Sequence, residues 1–317
     1  SKIAFEVAVE ANEVTPITFP SLVTMSLLGS APKALTEQEV VEDLRALLRW
    51  SRERELRISD DFDPAYAERM QSLIGIMIDE GIVTRYDEGP EVVYGIDLDQ
   101  HPVASYYRNT VIHFFVNKAI IELALLKASE KEGEGALERF WDEVDQLRDL
   151  FKFEFFYAPT EEFHRQIREE LQRYDADWET LAAQGTTGFG QLLSGMTPLV
   201  SHVTLLTYAE AYSVVASLAA GLDPGEALQE EQFVGDALKY GRQAYLQRRI
   251  SSESSIGKLL FRNGYKMLES RELAAAGPAE QGEKRREQAR QLRDLLRRLD
   301  LIRAIGVASR GSTQETV

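Results

Sequence analysis

The chain has 317 residues, of which 44% are hydrophobic and 28% charged, with a formal net charge of −16 and no cysteine. That length can bury a full core and hold two or three units, and the charge sets most of the surface against a polyanion, which argues against DNA or RNA as the main partner. The missing cysteines exclude disulfides, thiolate metal sites and cysteine nucleophiles, and fit a reducing cytoplasm.

Ser1–Glu13 is apolar at Ile3, Phe5, Val7 and Val9, as a strand would be, yet Ala4, Ala8 and Ala11 also permit the helix preferred here. After Pro16 and Pro20, Ser21 caps a short apolar helix through about Leu28, which Gly29–Lys33 ends. Thr36 with Glu39 forms a capping box for a helix through about Arg54, with a core stripe that includes Val40, Leu44, Leu47 and Leu48. A third helix runs from about Pro64 to Glu80 and stops at Gly81. Ile82–Tyr86 and Val92–Ile96 then read as two strands joined through Asp87-Glu88-Gly89-Pro90.

Three helices and a hairpin are the order of a winged helix. The expected fold is therefore mainly α: connecting helices over 1–30, a winged-helix-like unit over 31–103, a helical region over 104–306 and a disordered tail over 307–317. A DNA-binding use fails on the helix that would enter the groove, since Ala65–Glu80 carries Glu68, Asp79 and Glu80 against Arg69 alone. Packing or protein contact is the expected use of this unit.

Tyr106-Tyr107-Arg108-Asn109 opens what reads as one long apolar helix, and the helical region loosely repeats a helix, connector, helix pattern. Ala136–Leu150 leads through Phe151–Tyr157, expected to be a buried extended segment, into a helix over Thr160–Tyr174. Gln232–Gln247 leads through Arg248–Ser252 into another helix ending near Glu272. The two longest apolar stretches, Thr110–Lys127 and Pro198–Ala220, are interrupted by His113, Asn117, Lys118 and Glu122, and by His202 and Glu210. Both read as buried core helices rather than membrane spans, and no signal peptide precedes the first helix. Glu283–Arg303 departs from the acidic average, with eight Lys or Arg against four Asp or Glu and a stripe of Leu292, Leu295, Leu296, Leu299 and Ile302. It reads as a last docked helix, with Arg286, Arg290, Arg293 and Arg297 as candidate contacts to anionic lipid.

Catalytic signatures are missing. There is no Gly-x-x-x-x-Gly-Lys-Ser/Thr, no His-Glu-x-x-His and no Gly-x-Ser-x-Gly, and Gly185–Gly190 reads as a loop between helices. His101, His113, His164 and His202 show no ligand spacing, so neither metal nor cofactor is expected. Arg108 and Asn109 are the candidate functional polar contacts, because a buried guanidinium demands partners; a buried arginine satisfied by a neighbouring carboxylate is favoured over one reaching substrate.

One family fits these features. Val14-Thr15-Pro16-Ile17-Thr18 with Ser21-Leu22-Val23, then Tyr106–Val116, Leu150–Tyr157, and Gly241-Arg242-Gln243 with Arg249-Ile250 and Glu253-Ser254 resemble the carboxy-terminal region of bacterial glycerol-3-phosphate 1-O-acyltransferases. The resemblance implies an enzyme that moves an acyl chain from acyl-CoA or acyl carrier protein to the first hydroxyl of glycerol 3-phosphate. It also implies a peripheral place on the inner face of the cell membrane. That chemistry needs a His followed five positions later by an Asp, with the His as general base, and a Gly-Thr-Arg-Ser type phosphate segment. This sequence has neither block. The decoy His164 with Glu169 lies inside one predicted helix, where a five-residue step turns side chains about 140° apart. The chain is thus expected to begin after the catalytic domain, to have no catalytic residue of its own and to pair with that domain. The alternative is a free-standing helical, winged-helix-containing interaction module with no enzymatic activity.

Overall fold

The computed structural model describes residues 14–59, 67–131 and 135–312. The N-terminal segment Ser1–Glu13 and the start of the helix placed at Pro64 lie outside them. The described chain is mainly α, with thirteen α-helices, two single-turn 3-10 helices and three short strands, and it divides into two units.

Among the described residues the first unit holds residues 14–117, Met196–Val203 and the chain from Arg303. Its first helix, α1 (Phe19–Ser30), packs against α2 (Glu37–Arg52) and α4 (His101–Asn109). Almost every residue of α1 is buried, including the polar Ser21, Thr24, Ser26 and Ser30. Hydroxyls survive there because they bond within reach: Thr24 Oγ1 donates to Pro20 O at 2.7 Å and Ser30 Oγ to Ser26 O at 3.1 Å. The cap is Thr18 rather than the expected Ser21, which sits three residues on and completes the box from the other side.

Strand β1 (Leu35–Thr36) leads into α2, whose cap is the one read from sequence. Glu39 N donates to Thr36 Oγ1 at 3.2 Å and Thr36 N to Glu39 Oε2 at 2.8 Å. Burial alone would raise the Glu39 carboxyl, but Lys33, 2.7 Å away, and the Thr36 N–H hold it below the usual glutamate range. After α3 (Ala67–Asp79), β2 (Thr84–Tyr86) and β3 (Val93–Gly95) form an antiparallel hairpin. Strand β1 joins on the far side of β3 with Leu35 opposite Tyr94, so the sheet order is β1-β3-β2.

Tyr106–Phe115 is not the start of one helix. Helix α4 closes at Asn109 and α5 (Ile112–Ser129) begins anew at Ile112. Between them Thr110 N and its hydroxyl both bond Tyr107 O, and Val111 N bonds Arg108 O, replacing the four-residue ladder with tight three-residue turns. Past the break, Phe115 stacks on Trp50 with centroids 4.3 Å apart.

The second unit holds Lys118–Gly195, within the described residues, and Thr204–Ile302. It contains the rest of α5, then α6 (Ala136–Leu150), α7 (Thr160–Tyr174), α8 (Trp178–Ala182), α9 (Thr186–Gly195), most of α10 (Ser201–Ala220), α11 (Glu230–Leu246), α12 (Lys258–Ser270) and most of α13 (Ala279–Ser312). The α6-to-α7 connection Phe151–Tyr157 is a set of turns, not an extended segment: Phe155 N and Glu154 N both bond Phe151 O, and Phe156 is exposed. Of the expected glycine loop at Gly185–Gly190 only Gly185, at φ 69°, lies outside helix; the residues from Thr186 are the first turns of α9. A Cβ on Gly188 would lie 1.7 Å from Leu181 O, so only glycine lets this helix fold back against α8. Helix α13 continues to Ser312, past the boundary expected at 307.

Helix α10 is, among the described residues, the one helix long and apolar enough to cross a membrane, but two-thirds of its most apolar window (67%) is buried in the fold. That is the burial of a core helix. Charged groups inside the second unit come with partners. Lys118 and Glu122, both 0% exposed, pair at 3.1 Å, with Lys118 Nζ also 4.8 Å from the Tyr174 ring centre. Arg298 reaches Glu143 at 2.7 Å and Asp294 at 3.2 Å, and Lys127 reaches the same Asp294 at 3.1 Å.

Replacing the α2 cap tests the local account. Thr36→Ala should cost about 1 kcal/mol in chemical denaturation of the whole chain. Because the folded Glu39 carboxyl titrates low, its contribution is present at neutral pH and fades as the pH falls through the acid range. A Thr36→Ala variant as stable as the parent at neutral pH would show that the box does not hold the helix.

Candidate functional site

The polar residues singled out from sequence are placed as follows. Arg108 in the last turn of α4 is 5% exposed, and its Nε and Nη2 both donate to Asn109 Oδ1, at 3.1 and 2.9 Å. The expected carboxylate is thus replaced, in this bond, by the amide of the next residue. Asn109 itself is exposed, and it spends its oxygen on the guanidinium. Burial, followed by the charge of Arg108, pushes the nearby His101 imidazole below its usual value, while the Ile96 backbone and Asp97 pull the other way.

The four arginines of α13 lie on its exposed side. Arg286 bonds Glu283 at 2.9 Å, Arg290 bonds Glu283 at 2.6 Å and Glu287 at 2.8 Å, and Arg297 bonds Glu130 at 2.6 Å and Asp294 at 2.9 Å. Three of the four cations therefore sit among carboxylates that offset their charge. His164 Nε2 lies 2.7 Å from Asp145 Oδ1, and Glu169 is held by Arg165, so His164 and Glu169 each have a different partner.

Two polar clusters escaped the sequence reading. In the first unit a cavity of about 20 Å³, enough for one water-sized body, is lined by Ser26, Gly29, Asp43 and His202 among apolar Met25, Leu47 and Val203. Serine, aspartate and histidine are the residue types of a hydrolytic triad, but their order is wrong. In a triad the serine hydroxyl meets the imidazole and the aspartate meets its far nitrogen. Here Ser26 Oγ donates straight to Asp43 Oδ2 at 2.6 Å, and His202 Nε2 donates to Gly29 O at 2.7 Å. No base addresses the serine in these bonds, and the cavity has no room for a substrate.

In the second unit, Glu154 is half-buried beside Tyr212, with Asn263 Nδ2 donating to its Oε2 at 3.3 Å and to Phe153 O at 3.2 Å. Burial raises the carboxyl, and Tyr212, Asn263 and Lys266 only partly oppose it. Burial and the Glu154 charge raise the Tyr212 phenol in turn. Glu210 is also raised by burial, although Ser251 N at 2.6 Å and Ser255 Oγ at 2.5 Å both donate to it. An isolated Glu in an apolar helix, as at 210, is the sequence signal for such a group; Glu154, between aromatics, gave the same signal.

Comparison with known proteins bears on these placements. The model of a family described as "Glycerol-3-phosphate acyltransferase C-terminal region" matches residues 1–276. Proteins named "Putative acyltransferase plsB1" in Mycobacterium bovis and in two strains of Mycobacterium tuberculosis are 34% identical over 290 residues, which is 90% of this chain and 46% of theirs. The chain spans about half the length of the curated relatives it matches.

Two substitutions test whether these groups are structural. Arg108→Ala should destabilise the chain by about 2–3 kcal/mol, as loss of a buried, charge-assisted pair does. For Glu154, a raised folded value means its contribution is full below the ordinary glutamate range and is lost as pH rises through the raised value. Glu154→Gln should therefore make the chain more stable relative to the parent at pH 8 than at pH 4. Equal differences at the two pH values in urea titrations would remove Glu154 from the buried-charge account.

Proposed function

Because the chain belongs to the glycerol-3-phosphate acyltransferase C-terminal region family, we propose that it is the non-catalytic part of an enzyme acylating the first hydroxyl of glycerol 3-phosphate. Its role is to support the catalytic domain of that enzyme and to help dock it on the inner face of the cell membrane. The observation that carries the reading is the match itself: 90% of the chain aligns with acyltransferase relatives yet covers only 46% of them. The catalytic His-x-x-x-x-Asp and phosphate blocks expected of such an enzyme have no counterpart in this sequence.

The bonding of the polar groups supports a supporting role. Arg108 is held by Asn109, His164 faces Asp145, Glu169 faces Arg165, and the Ser26–Asp43–His202 cavity takes at most a water. The winged-helix reading of 31–103 draws on the helix order and on a sheet whose middle strand is β3. We read it as a packing or protein-contact module, since a protein with net charge −16 is ill suited to nucleic acid.

Separating the full-length enzyme into two chains tests this role. The upstream half alone should show little glycerol-3-phosphate acylation, and adding this chain should restore turnover, with Arg108→Lys restoring it without a change in KM for glycerol 3-phosphate. Full activity of the upstream half by itself would contradict the supporting role. A raised KM with Arg108→Lys would place that residue at the substrate.

A further inference from the structure

The hairpin of α11 and α12 carries the one motif of the sequence reading that the supporting role leaves unexplained. Residues 239–262 hold six basic residues and one acidic residue in a chain of net charge −16. The two helices pack on each other, with Gly241 against Phe261 and, further back, Phe233 against Tyr265, so they run in opposite directions and the end of α11 and the start of α12 meet at one tip. At that tip Leu246 is 72% exposed and Leu259 is 69% exposed. Large apolar side chains this open, at the same helix ends as exposed Arg248, Arg249 and Lys258, give the tip a mixed apolar and cationic character.

Pairing separates this surface from other basic stretches. Lys239, Arg242 and Arg262 are matched with Asp236, Glu253 and Glu230. Arg249 donates to the Tyr240 hydroxyl at 2.9 Å and lies 4.8 Å from that ring, which positions its charge without cancelling it. Arg248, Arg249 and Lys258 have no acidic partner among the described residues. The arginines of α13 mostly do have them.

The tip is also held in place. Glu210, buried in α10, accepts from Ser251 N at 2.6 Å and Ser255 Oγ at 2.5 Å, and Ile250 and Ser255 are buried beneath the loop. The end of α11 closes with Arg249 N on Ala244 O at 2.8 Å, and Arg248 occupies the left-handed position, φ 55°, that glycine fills most easily. An arginine there presents a charge at a conformational cost, the same choice made with Glu55 and Glu272 elsewhere in the chain.

We propose that the α11–α12 tip is a docking surface for an anionic lipid bilayer, with Leu246 and Leu259 entering the headgroup region and Arg248, Arg249 and Lys258 meeting lipid phosphates. The choice of partner rests on the reading of the chain as part of a lipid-building acyltransferase; the exposure and charge of the tip do not. Charge selects this occupant: a surface of one sign in a protein of the opposite sign is drawn to an anionic leaflet while the rest of the molecule is repelled from it.

Vesicle flotation of the whole chain tests the assignment. Vesicles of phosphatidylcholine with about three in ten lipids replaced by phosphatidylglycerol should carry the chain upward. Pure phosphatidylcholine should not, and high salt should release it. Leu246→Gln with Leu259→Gln, both exposed and hence harmless to folding, should abolish flotation, and Arg248→Gln with Arg249→Gln should weaken partitioning about tenfold or more. Unaltered circular dichroism confirms that each variant is folded. Absence of flotation on anionic vesicles, or flotation that survives both double variants, overturns the proposal. So does flotation lost only when Arg286, Arg290, Arg293 and Arg297 are replaced by Gln, which would move the surface to α13. Failure of any of these kinds leaves the two-chain complementation result standing, so the docking surface and the supporting role fail separately.

Discussion

A charge taken out of water must be paid back in hydrogen bonds, and Arg285 shows how far the second unit depends on that constraint. It is 0% exposed, and burial pulls its guanidinium below the usual arginine value, with only Asp223 opposing. It donates to four backbone carbonyls: Leu273 O at 2.8 Å, Ala275 O at 3.0 Å, Asp223 O at 3.2 Å and Glu226 O at 3.3 Å. Those carbonyls belong to the connections before α11 and before α13, which also pair directly through Leu228 N on Ala274 O and Gly277 N on Pro224 O, both 2.8 Å. Only the planar, many-donor head of arginine can hold two loops in this way; a lysine has one point of charge. Replacing it would take this donor from the carbonyl of buried Leu273, at a cost of about 1–3 kcal/mol, and would remove the side-chain tie between the two loops.

The same constraint runs through the rest of that unit. Lys118 and Glu122 neutralise each other within one helical turn, and Arg298 binds Glu143 and Asp294 at once. Such pairs add little net stability, because desolvation consumes most of the attraction, but removing one partner costs about 3–5 kcal/mol. They fix which helix face meets which.

Features that depend on near neighbours could be read from sequence. The Thr36–Glu39 box, the helix over Thr160–Tyr174 and the buried leucines of α13 follow from capping and periodicity, and all are present. The break at Thr110–Val111 left no such trace, since no glycine or proline marks it and the apolar pattern runs on; hydroxyl and three-residue bonds make it. Gly188 looked like loop because its reason is a carbonyl on another helix. Arg285 is one of the eight basic residues of Glu283–Arg303. Yet it stands seven residues before Leu292 and fourteen before Leu299, so it lies on the apolar stripe, and that spacing was the available signal.

The central claim is that this family region holds and places an acyltransferase without performing the transfer, and the direct measurement is turnover by the purified chain. With glycerol 3-phosphate and acyl-CoA the account predicts no acylation above the enzyme-free rate. Turnover that is present in the chain alone and lost in His164→Ala or His202→Ala would contradict it.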